Sequence, residues 1–342
     1  MPPHATRRAT LIGATAVLLW GGLATLTVLS GNIPPFQLLA MCFALGTVVG
    51  LAAQWGRARR FALGRWPAAS WGQTRRSAPS GQGRGDAPSG QTRRSAPTGQ
   101  GRGDAPSGQT RRSAPTGWVW ALGIYGLFGY HFAYFMALRL APPAAANLIN
   151  YLWPVLIVLF AALLPGERLR GRQVAGALAG FAGAGLLVTG GGLRFDSHHL
   201  PGYAFALACA VIWSSYSVLS RRVGRGDAGG PRGETDSARA VTGYCAATAA
   251  LALVCHLLLE TPVWPVGWQW AAVVALGLGP LGVAFYTWDH GVKHGNIQTL
   301  GALAYAAPLL STALLIAVGL AEPSWALAAA GALIIGGAAL AS

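Results

Sequence analysis

An imidazole, two carboxamides and three phenols fall between Tyr130 and Tyr151, in sequence that is otherwise apolar: His131, Asn147, Asn150, Tyr130, Tyr134 and Tyr151. Trp153 and Pro154 follow directly. These groups donate and accept hydrogen bonds and present aromatic faces, which is the chemistry of holding a ligand. Polar groups at membrane depth are costly, so they line a watery cavity or sit buried in a bundle. Tyr130 and Tyr134 are four apart and share a helix face, as do Asn147, Asn150 and Tyr151. Trp153 joins them only if its helix bends at Pro154. The stretch reads as the wall of a substrate pathway. Each residue also has a packing role open to it: a carboxamide bonding a neighbouring helix, or a ring filling the core or anchoring an interface.

The elements that must position these groups are membrane helices. Of 342 residues, 53% are hydrophobic and only 10% charged, and the mean hydropathy is +0.44. A soluble domain carries about 25% charged residues. Apolar runs of about 20 residues place ten spans at 9–29, 34–54, 117–138, 144–164, 171–189, 200–220, 239–259, 267–289, 297–319 and 325–341. The first follows Arg7 and Arg8 as a signal peptide would, but its length predicts a retained helix. A net charge of +15 would suggest a nucleic-acid partner in a soluble chain; here the charge lies in loops, so the partner is the lipid bilayer and no nucleic acid is expected. With the N-terminus inside, 23 of the 25 basic residues are cytoplasmic and only Arg139 and Arg194 are outside.

One loop differs in kind. GQTRRSAP begins at Gly72, Gly90 and Gly108, and GQGRGDAP at Gly81 and Gly99. This arginine-rich repeat has too little apolar content to fold, and disorder is expected over 56–116. With that loop set aside, an internal repeat emerges. Pro154 and Pro308 lie 154 residues apart, Tyr151 matches Tyr305, and the ALRLA ending at Ala141 matches the GVKHG ending at Gly295. Trp20-Gly-Gly matches Trp213-Ser-Ser. Each copy holds five spans, an odd number, so the copies enter the membrane in opposite senses, as in many transporters. The expected fold is an all-α membrane protein of ten transmembrane helices in two inverted five-helix repeats, both termini cytoplasmic. The first two spans occupy 1–55, the loop 56–116, the rest of repeat one 117–190 and repeat two 200–341.

Three stretches carry a family resemblance: ATLIGATAVLLWGGLATLT, IPPFQLLAMCFA and GLFGYHFAYFMALRLAPPAAANLINYLWPVLIVL. In these the chain resembles the drug/metabolite transporter superfamily, the EamA-type ten-span proteins, and within it the bacterial aromatic amino-acid exporters. The long repetitive loop departs from the family, whose connection there is short. The resemblance implies export of aromatic or related neutral amino acids across the inner membrane, by alternating access through a central cavity. It also implies that Tyr130, His131, Tyr134, Tyr151 and Trp153 line that cavity. Trp213 and Trp288 carry over on less distinctive patterns. Export of another metabolite or drug by the same fold is the alternative.

The residues agree on their own chemistry. Tyr and Trp faces suit a flat ring, an aromatic face suits an ammonium, and carboxamides and hydroxyls supply donors for a carboxylate. No Asp or Glu is expected deep in a span, and Asp289 reads as interfacial along with His256 and His290. Cys42, Cys209, Cys245 and Cys255 lack metal-ligand spacing and read as buried hydrophobes. No metal and no cofactor are expected. An intramembrane enzyme needs a nucleophile beside a base, and the sequence offers no such pair in a plausible place; a scaffold built on the arginine-rich loop is a further reading. The protein is expected to act as a monomer or weak homo-oligomer. His131 is the one well-placed titratable group, and facilitated export is the simpler expectation.

Overall fold

The computed structural model describes residues 3–62, 116–166, 169–190, 196–226, 231–320 and 322–341. Residues 1–58 and 113–342 form one helical body. Among the described residues there are helices and no strand. Nine are long and apolar enough to cross a membrane: His4–Leu29, Pro35–Arg59, Gly117–Leu140, Pro143–Ala161, Gly171–Thr189, Ser197–Gly224, Ser237–Leu259, Gln269–His294 and Ile297–Ala317. With the shorter apolar helix Trp325–Ala341, they are spans 1 to 10 below. The helix of span 2 continues to Ala62, past the expected start of the loop at 56. The rest of that loop, 63–115, lies outside the described residues.

The repeat is visible in the backbone. Span 3 contains a π-helical turn, Tyr125–Gly129, followed by α-helix Tyr130–Leu140. Span 8 contains one at Gly279–Val283, followed by Ala284–His294. The two π turns and the helices after them match at the offset of 154 that separates Pro154 from Pro308. Such turns insert one residue into the helical ladder. In span 8 Pro280 supplies the cause, because it has no N–H and its ring clashes with the carbonyl four residues back.

Spans 4 and 9 break at matching points. Span 4 is helical over Pro143–Asn150 and again over Trp153–Ala161, with a turn at Tyr151–Leu152. Span 9 breaks at Ala304–Tyr305. Pro154 and Pro308 cannot donate to the carbonyls of residues 150 and 304, so the ladder tightens there, with Leu152 N bonding Ile149 O at 3.1 Å. The breaks meet across the pseudo-two-fold axis: the Tyr305 hydroxyl donates to the Tyr151 carbonyl at 3.0 Å.

Packing obeys the same symmetry. Span 1 crosses span 8 and span 3 crosses span 6, while spans 5 and 10 lie together. In that last pair Gly176 faces the Gly337 carbonyl, and a methyl at Gly183 would lie 2.9 Å from the Ala330 carbonyl. Trp118, Trp120, Trp264, Trp268, Trp270 and Trp325 are exposed, as side chains in an interfacial belt are.

Candidate functional site

Four tryptophans from four spans meet at the centre of the body: Trp20 of span 1, Trp153 of span 4, Trp213 of span 6 and Trp288 of span 8. Every pair among them is in ring contact, with centroids from 5.1 Å for Trp20–Trp288 to 6.4 Å for Trp153–Trp213. The bend at Pro154 swings Trp153 into this group. Phe285 touches Trp20 and Trp213 and continues to Phe43 and His131. Edge-to-face contacts of this kind contribute about 0.5–1.5 kcal/mol each beyond burial.

The π turns feed the cluster. The Trp20 indole donates to the Pro280 carbonyl at 3.1 Å. His131 Nδ1 lies 2.7 Å from the Leu127 carbonyl; a carbonyl only accepts, so Nδ1 carries a proton. Each turn therefore has a carbonyl satisfied by a ring of the aromatic cluster. The Trp288 indole donates to Ser217 Oγ at 3.2 Å.

Beside the rings runs a polar ladder between spans 3 and 4. Tyr130 and Tyr134 stack with centroids 6.1 Å apart, and Tyr130 reaches Trp213 at 5.5 Å. The Tyr134 hydroxyl donates to Asn147 Oδ1 at 2.7 Å, and Asn150 Nδ2 donates to the Tyr130 hydroxyl at 3.1 Å. Tyr130, Tyr134 and Asn147 are half-buried, whereas Asn150 is 5% exposed.

Eight of the nine residues singled out in the sequence thus form one continuous constellation. Tyr151 lies at its margin: its half-buried ring packs against the cluster of Val155, Tyr305 and Ile334, while its phenol is within electrostatic range of those of Tyr130 and Tyr134. Trp20, Phe43 and Phe285 were missed. Two signals pointed to them: Trp20 is the repeat mate of Trp213, and Phe285 stands 154 residues after His131.

Asp289 stands in the last turns of the helix of span 8, which runs to His294, and is buried against protein. Its carboxylate pairs with Lys293 at 2.8 Å and accepts from Ser237 Oγ at 2.6 Å. His256, expected at an interface, is also buried and lies 3.0 Å from Glu260. Asp289, Ser237, Tyr286, His290, His294 and Arg57 line a cavity of about 280 Å³ between spans 2, 7 and 8, at the face where the chain begins. Among the described residues no cluster of His, Cys, Asp and Glu could hold a metal ion.

A family model described as the EamA-like transporter family matches residues 104–189 and 200–342. The protein named aromatic amino acid exporter YddG of Ancylobacter novellus is 48% identical over 338 residues, covering 98% of this chain and 96% of its own. The Escherichia coli protein of the same name is 27% identical over 175 residues, 49% of this chain and 56% of its own. A solved structure 48% identical in sequence superposes with a TM-score of 0.76, covering 98% of this chain and 96% of its own.

Proposed function

The chain belongs to the EamA-like transporter family, and we propose that within it this protein exports aromatic amino acids, or neutral amino acids like them, from the cytoplasm. It is a multi-pass protein of the bacterial cytoplasmic membrane, and the bilayer and a small-molecule substrate are its partners. The observation that carries the reading is the pairing of an aromatic cluster with an uncharged polar ladder at the break in span 4. Flat faces take the ring, and carboxamides and phenols take the amino-acid head. The likeness to exporters of aromatic amino acids supports the same choice.

Tyr130, His131, Tyr134, Asn147, Asn150, Tyr151, Trp153, Trp213 and Trp288 are the side chains assigned to the substrate, with Trp20 added to them. Tyr151 joins them from the margin, where its phenol neighbours those of Tyr130 and Tyr134. The excess of basic residues in the connecting segments on one side supports both termini in the cytoplasm. The protein performs transport and no covalent chemistry, as a monomer or weak homo-oligomer, and the arginine-rich loop is dispensable for flux.

Counterflow into proteoliposomes with labelled phenylalanine and labelled threonine tests the reading. Saturable phenylalanine flux above the threonine flux is expected. Absence of saturable phenylalanine flux sinks it, and threonine flux alone would assign the fold to another metabolite.

A further inference from the structure

The Asn150 carboxamide is half used. Its Nδ2 donates to the Tyr130 hydroxyl at 3.1 Å, but its Oδ1 is sealed from solvent and accepts no hydrogen bond among the described residues. Asn150 is only 5% exposed. A buried acceptor without a donor is costly, so native interiors rarely keep one without a purpose. The position is the last helical residue before the break in span 4, and the phenol it holds touches Trp213.

Two groups beside it have the opposite character. The Tyr130 hydroxyl accepts from Asn150, and its own hydrogen has no acceptor among the described residues. Asn147 Oδ1 is occupied by the Tyr134 hydroxyl, which leaves the Asn147 amide hydrogens as donors. Asn147 and Asn150 are three apart on one helix face, about 5–6 Å between Cβ atoms. One unpaired acceptor thus lies within a turn of two unpaired sets of donors, and no acid stands in the ladder.

We infer that Asn150 Oδ1, sealed in the state described, receives the α-ammonium of the substrate once the break beside it opens, while the Tyr130 hydroxyl and the Asn147 amide receive its carboxylate. The ligand class is a zwitterion with one aromatic ring. This rests on the reading of the protein as an amino-acid exporter and assigns the atoms by which that site recognises its ligand. Repeat two has Gly301 and Ala304 at the matching positions, so the head is read by one repeat alone. A neutral carboxamide oxygen suits an exporter, because it holds an ammonium by a charge-assisted bond without the grip of a buried ion pair.

The test uses the full chain in proteoliposomes, as wild type, Asn150→Leu and Asn150→Asp. Three ligands compete against labelled phenylalanine counterflow: phenylalanine, 3-phenylpropionate without the ammonium, and phenethylamine without the carboxylate. Wild type is expected to prefer phenylalanine over 3-phenylpropionate by about 10-fold or more. Asn150→Leu should reduce that preference to within about threefold while keeping the preference over phenethylamine. Asn150→Asp, whose side chain only accepts, should restore it and admit phenethylamine more readily. Quenching of tryptophan fluorescence in detergent gives the same ratios for a variant whose flux is too low. Equal weakening of all three ligands in Asn150→Leu would make the residue a packing element and overturn the inference. So would loss of the preference in Asn150→Asp. If wild type binds no phenylalanine, the exporter reading falls as well; if it binds phenylalanine but Asn150 does not discriminate, only the inference falls.

Discussion

The turn joining spans 8 and 9 and the turn joining spans 3 and 4 are repeat mates, yet they are fastened differently. At the first, Arg221 of span 6 donates through Nη1 to the carbonyls of Val292 and Gly295, each at 2.6 Å. Thr10 of span 1 accepts from Asn296 N at 2.9 Å, and Lys293 reaches Ser237 of span 7 at 2.6 Å. Three neighbouring spans therefore hold one turn. At its mate, the residue matching Asn296 is Pro142, which has no N–H to donate. The residue matching Arg221, by the offset relating Trp20 to Trp213, is Val28. In place of those hydrogen bonds the turn has Arg139, 42% exposed on its side chain and 3.5 Å from Glu260, and a close approach to Gly202 of span 6, where a methyl would come within 2.6 Å of the Leu140 backbone.

The helix crossings beside the turns agree. Spans 1 and 8 cross where Gly13 and Gly291 meet, so closely that a methyl on Gly291 would come within 2.5 Å of the Gly13 Cα. Their mates in spans 6 and 3 are Ala206 and Ala137, both buried in one small apolar cluster. Two copies of one backbone have thus been given unequal locks, the stronger at the face where the chain begins. The opposite face depends on Glu260, which caps span 2 by accepting from Phe36 N and Gln37 N, both at 3.1 Å.

Breaking the stronger lock should have the largest effect. Arg221→Leu leaves two buried carbonyls unpaired, and a loss of about 3 kcal/mol is expected. It would be read as a lowered Tm of the purified protein and as faster thiol labelling of a cysteine placed at Thr299. An unchanged Tm would mean that the turn is held by packing. Glu260→Ala removes a helix cap and the partner of His256, for about 2 kcal/mol. Its effect should appear on the opposite face, as increased labelling of a cysteine at Gln37, and a larger loss than that of Arg221→Leu would reverse the ranking of the two faces. Arg139→Gln should cost least, about 0.5 kcal/mol, because the Arg139 guanidinium is half exposed and screened by solvent while Glu260 keeps its other partners. A measurable change in Tm for that variant would show the loose turn to be tied more firmly than its geometry indicates.

Much of this was legible in the sequence. Hydropathy located the spans, and Pro154 and Pro308 gave the offset that the π turns and the paired helices repeat. The site was legible where polar groups interrupt apolar runs, at His131, Asn147 and Asn150. It was not legible where apolar residues do the work. Phe43 resembles every other core residue until the fold brings it to His131, and Phe285 stands out only by its repeat offset from His131. Asp289 was legible as a charge near the end of an apolar run, but its burial was not; Lys293, one helical turn on, and Ser237, from another span, make that burial tolerable. The π turns had no periodic signature, since an inserted residue shifts the helical phase without changing the residue types.

The glycine seam between spans 5 and 10 has a mechanical consequence. Backbones that meet at Gly176 and Gly337, with Gly180 against the Tyr305 ring, leave no slack for sliding. One helix there comes from each repeat, so the seam is expected to hold the two repeats together while other spans move. Spectroscopic labels on its lipid-facing side should hold a constant separation throughout a transport cycle, a stationary ruler against which the movement of every other span can be measured.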